Sequence, residues 1–125
     1  MIRDGLPKIW ASKGIRASLK VLDVNAYRIA LKKKLLEEGE EVCQTSTKEE
    51  LAEELGDVLE VISALCETYD LSFECIEEAR LKKKEQRGGF QDRVYCQTVE
   101  MEITEKTRPH YDYFRAHPDK YPEGK

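Results

Sequence analysis

Between residues 25 and 87 the chain holds no proline, and its apolar residues recur there at steps of three and four. Proline in a helix interior removes a backbone donor and clashes with the preceding turn, so a long proline-free stretch leaves room for long helices. The step matches the 3.6-residue period of one helical face rather than the alternation of a half-buried strand. Tyr27, Leu31, Leu35 and Val42 define the stripe of a first predicted helix, from about Asn25 to Cys43. The segment QTSTKEE breaks it. Thr47 followed by Glu50 has the form of a capping box, in which hydroxyl and carboxylate satisfy orphan N–H groups. A second helix follows to about Thr68, with Leu51, Leu55, Val58, Ile62 and Leu65 on its stripe. Tyr69-Asp70 turns the chain, Ser72 caps a third helix, and Gly88-Gly89 ends it.

The expected fold is therefore all-α, an antiparallel bundle of three main helices. Residues 1–100 are expected to form the helical domain and residues 101–125 a tail that packs on the body, binds a partner or is loosely ordered. RVYCQTVEMEI alternates only in part, as a short strand or an extended arm would, and the aromatic tail beyond it has no clear period. With 125 residues there is room for one domain. A net charge of -4 argues against general affinity for duplex nucleic acid or an anionic membrane. No apolar run is long enough to span a bilayer, and MIRDGLPKIW lacks the apolar core of a signal peptide, so a soluble, cytoplasmic protein is expected. Cys43, Cys66, Cys75 and Cys96 form no Cys-x-x-Cys pair and have no histidine nearby, which fits reduced cysteines rather than a zinc knuckle or a disulfide framework.

In so acidic a chain a carboxylate is informative only where its helix would bury it. At about 100° per residue, Glu38 falls inside the arc of Leu31, Leu35 and Val42, with Glu41 at its border. Glu54 and Asp57 lie one turn apart along an edge of the second stripe. Glu40, Glu53, Glu60, Glu77 and Lys82 point to solvent, where such residues do little. A buried carboxylate has to be paired, protonated or metal-bound. Two pairs on consecutive antiparallel helices would concentrate four carboxylates, a hard-oxygen site suited to Mg²⁺ that keeps waters for a phosphate substrate. The third helix carries the opposite charge at Arg80, Lys83, Lys84 and Arg87, continuing the side marked by Phe73 and Ile76. Its expected partner is the acidic patch or a bound phosphate.

Glu38-x-x-Glu41 in KLLEEGEEV and Glu54-x-x-Asp57 in EELGDVLEVI resemble the paired acidic motif of the MazG-like all-α nucleoside triphosphate pyrophosphohydrolases. KKKEQRGGF and the opening IRDGLP resemble the phosphoribosyl-ATP pyrophosphohydrolase-like subgroup, although Gly5 stands where members often carry lysine. The resemblance covers roughly residues 2 to 100. It implies an oligomer, a homodimer or dimer of dimers, in which helices of two chains complete the bundle. It implies further that Glu38, Glu41, Glu54 and Asp57 bind Mg²⁺ (or Mn²⁺ in its place) and serve catalysis, with Glu38 the general base. Lys84, Arg87 and Arg3 would contact the phosphates of a nucleotide, which is cleaved to a monophosphate and pyrophosphate. Two other functions fit the same residues: a non-catalytic helical dimer binding a nucleotide or protein through residues 101–125, and hydrolysis of phosphoribosyl-ATP itself.

Overall fold

The computed structural model describes residues 1–124, which form five α-helices and, among the described residues, no strand. They are α1 (Leu6–Ser12), α2 (Val24–Cys43), α3 (Lys48–Thr68), α4 (Phe73–Arg87) and α5 (Arg108–Ala116). The chain divides into two compact units, the first ending at Gly88 and the second beginning at Gly89.

Local chemistry sets the ends of the long helices. The Asp23 side chain accepts from the Ala26 N–H at 2.8 Å and starts α2. Thr47 caps α3 by accepting from the Glu50 N–H at 3.1 Å, while Glu50 reaches back past it to the N–H of Ser46, 2.9 Å away. Ser72 does the same for α4, accepting from the Cys75 N–H at 3.1 Å. The α3–α4 turn has Asp70 at φ 57°, and the N–H groups of Asp70 and Leu71 close onto the carbonyls of Glu67 and Cys66. Two overlapping bonds of this kind satisfy the last carbonyls of a helix. Gly88 has φ 81° and ψ 175°, a conformation that essentially only glycine adopts, and it stops α4 where the sequence predicts.

The four-residue connection 44–47 folds α2 and α3 into an antiparallel hairpin, the principal helix–helix contact among the described residues. Its buried centre is small: Leu31 from α2, and Val61 and Cys66 from α3. The stripe expected on α3 is only half covered. Val58, Ile62 and Leu65 are half-buried, but Leu51 and Leu55 are exposed. Arg28 clasps the far end of the hairpin, donating to the hydroxyl and carbonyl of Thr68 and lying 4.2 Å over the Tyr69 ring. No side chain of α4 is buried. The side of α4 expected to face inward stays open in the single chain, and Arg80 pairs with Glu77 on its own helix rather than with the acidic patch.

In the second unit, residues 93–104 run without regular structure into α5. Tyr113, Phe114, His117 and Tyr121 gather there, with ring centroids 4.4 to 6.0 Å apart. All four cysteines are free thiols, and Cys66 is the buried one. Among the described residues no helix is long and apolar enough to cross a membrane.

Candidate metal centre

Hairpin geometry turns two separate sequence motifs into one cluster. Glu38 and Glu41 are one turn apart on α2, Glu54 and Asp57 one turn apart on α3, and each side chain projects towards the other helix. One carboxylate oxygen from each of the four lies within 4.8 Å of the other three. In an octahedron of oxygens about 2.1 Å from Mg²⁺, opposite ligands stand roughly 4.2 Å apart. The four oxygens are therefore gathered on the scale of one coordination sphere, and small side-chain rotations would draw them onto a single divalent ion.

Burial makes the arrangement costly without a cation. Glu38 is 5% exposed, and its Oε2, like Oε2 of Glu54, is buried with no hydrogen-bond partner among the described residues. Unpartnered carboxylate oxygens in such a place are heavily penalised, and a hard cation is the partner they are suited to. The donor set, four carboxylates with no thiolate or imidazole, also selects a hard ion. The residues present thus fit the divalent metal implied by the motif.

Two cations already lean on the cluster. The Lys34 Nζ, one turn before Glu38, is 3.0 Å from its Oε1 and 3.1 Å from Glu37, and the hydrogen bond to Glu38 holds the ammonium above its usual pKa. Arg3, from the segment before α1, forms an ion pair with Asp57. Lys34 is shared with Glu37, so the two cations only partly offset the four carboxylates and the cluster keeps a net negative charge. Mutual repulsion shows in Glu41. Its hydrogen bond to Glu38, then the Glu38 charge, and further the charge of Glu54 push its carboxyl up to about 7.

Glu38, Glu41, Glu54 and Asp57 are thus brought together as their spacing predicts. Arg3 reaches the same place, resting on a carboxylate. Lys84 and Arg87 sit in the exposed last turn of α4 and pair with no carboxylate of the cluster. Lys34 escapes sequence reasoning because lysines on α2 read as a solvated face. Its four-residue spacing to Glu38 was the available signal.

Beside the cluster a cleft of about 470 Å³ opens between the hairpin and residues 1–9, and Lys34, Glu38 and Asp57 line it. Against families of known proteins, residues 28–89 match the MazG nucleotide pyrophosphohydrolase domain. Neither the curated proteins nor the solved structures include a match to the chain.

Proposed function

Because the chain carries a MazG-like domain across its helical hairpin, we propose that it is a Mg²⁺-dependent nucleoside triphosphate pyrophosphohydrolase. Water splits the anhydride between the α- and β-phosphates, giving a nucleoside monophosphate and pyrophosphate. The observation that carries this reading is the convergence of four carboxylates, two with buried oxygens lacking any partner, at the mouth of a cleft.

The chain's own groups have distinct tasks. Glu38, Glu41, Glu54 and Asp57 would hold the ion. When bound, it supplies positive charge to the triphosphate and lowers the pKa of water beside it. Lys34 orients the Glu38 carboxylate through Oε1, and Glu38, the most buried of the four, is also the group assigned to accept the proton from the attacking water. Arg3 offers a guanidinium beside Asp57, within reach of the phosphate oxygens as their charge develops.

Lys84 and Arg87 act on phosphate from a second copy of the chain in this reading. The hairpin and α4 expose a row of large apolar residues, with Leu36 at 72%, Leu59 at 59% and Phe73 at 52%. Such surfaces mark an interface. A homodimer covers them and brings the cationic end of an α4 to an acidic cluster.

The test is pyrophosphate release from a panel of nucleoside triphosphates with Mg²⁺, on the wild type and on Glu38→Gln and Asp57→Asn. Release that both substitutions abolish, with helicity unchanged, supports the proposal. Release that survives both removes these carboxylates from the mechanism.

A further inference from the structure

The cleft beside the acidic cluster has two chemically different ends. At one end lie Glu38 and Asp57 with their partners Lys34 and Arg3. The rest is mostly apolar, Asp4 and Glu60 excepted: Tyr27, Leu31, Val61 and Ala64 from the hairpin, with Ile2 and Ile9 from the segment outside it. Leu31 and Val61 are almost wholly buried, so this wall is fixed by the hairpin core. Ile2 and Ile9 are 39% and 48% exposed, apolar surface turned to an open cavity rather than to protein. About 470 Å³ lies within the range of small-molecule sites, roughly 300–1,000 Å³.

The geometry points to this cleft as the pocket for the nucleoside half of the substrate, with Tyr27 as its aromatic wall and residues 1–9 as its outer wall. The inference rests on the hydrolase reading. A triphosphate carries its charge and belongs at the carboxylate–cation end. A base with apolar faces belongs between aliphatic and aromatic side chains, where burial of those faces and contact with Tyr27 hold it. The ion pair of Arg3 with Asp57 ties the outer wall to the cluster, which sets the wall at a fixed distance from the phosphates.

The shared and the particular parts of the chain divide along the same cleft. Leu31, Val61 and Ala64 lie inside the stretch that matches the MazG domain, residues 28–89, whereas Ile2, Ile9 and Tyr27 lie outside it. A common hydrolytic hairpin thus meets an outer wall, Ile2 and Ile9, supplied by residues beyond it.

Two variants test this, Tyr27→Ala and Ile9→Trp. Ile9 is exposed, so its variant folds even if the half-buried Tyr27 proves structural; circular dichroism checks both. Pyrophosphate release is followed over the eight canonical ribo- and deoxyribonucleoside triphosphates with Mg²⁺. Inorganic tripolyphosphate serves as a competitor that lacks a nucleoside, and Mn²⁺ binding is measured by electron paramagnetic resonance. Loss of a base–aromatic contact raises KM roughly fivefold to a hundredfold. The expected result is that rise in Tyr27→Ala and a change of KM of at least about fivefold in Ile9→Trp, whose indole either fills the pocket or stacks on the base, with kcat, tripolyphosphate inhibition and Mn²⁺ binding all within twofold of wild type. A KM within twofold of wild type in folded Ile9→Trp overturns the pocket and leaves the hydrolase reading standing. A rise in the tripolyphosphate inhibition constant that matches the rise in KM also overturns it, by moving the effect to the phosphates. A wild type that releases pyrophosphate from none of the eight removes the hydrolase reading, and the pocket with it.

Discussion

Divalent metal binding should expel a proton, and the proton should come from Glu41. Glu38 pushes the Glu41 carboxyl up to about 7, so near neutrality the metal-free cluster shares a proton where a cation would otherwise sit. A metal ligand must be deprotonated, so binding displaces whatever fraction is protonated. From a pKa of about 7, that fraction is about 0.9 at pH 6 and about 0.1 at pH 8. Titrating Mn²⁺ calorimetrically in buffers of different ionisation enthalpy gives the number directly. Close to one proton should leave per ion at pH 6 and almost none at pH 8, with affinity falling about tenfold per pH unit below 7. The metal-free fold carries the matching signature. The folded-state pKa lies above the unfolded value of 4.5, so the native state binds the extra proton, and stability declines as the pH rises from about 4.5 to about 7. In Glu38→Gln the largest cause is gone, and the Glu41 midpoint, followed by carbon-13 NMR, should fall back towards 4.5. Equal proton release at pH 6 and pH 8, or a midpoint unmoved in Glu38→Gln, would refute the coupling of these carboxylates.

Other consequences follow from the same contacts. Lys34→Met leaves a buried Glu38 carboxylate without its partner, which should lower metal-free stability by about 1–3 kcal/mol in a denaturant melt, with Mg²⁺ restoring much of the loss. Thr47→Ala removes the cap of α3 and should cost about 1 kcal/mol, read as a lower melting temperature with metal binding intact. Gly88→Val places a β-branched residue at φ 81°, so thermal unfolding should shift down by the equivalent of at least about 1 kcal/mol. Leu59→Asp puts a charge on the exposed face of α3, and sedimentation should then show a smaller species than the wild type.

The three long helices were legible because their ends carry explicit chemistry: Thr47 and Ser72 as caps, Gly88 at a φ that side chains resist. The four carboxylates were legible because helical period alone places Glu38 on the stripe of Leu31. Short α1 and α5 were not. Each has a proline in its first turn, Pro7 and Pro109; proline signals a break in a helix interior, whereas the first turn is where a helix tolerates it. The lysines of α2 looked uniformly solvated, which hid Lys34, since only the folded hairpin shows Glu38 buried above it. The inward side assigned to α4 followed from its apolar period, but period says only that a face is apolar and not which molecule covers it.

The account turns on whether carboxylates from α2 and α3 share one cation. Electron paramagnetic resonance of Mn²⁺ with the wild type, Glu54→Gln and Asp57→Asn measures this without reference to turnover. The wild type should hold Mn²⁺ tightly, and each α3 substitution alone should weaken that binding at least tenfold although Glu38 and Glu41 remain. Undiminished binding in both variants would mean that the two helices do not contribute to a common site.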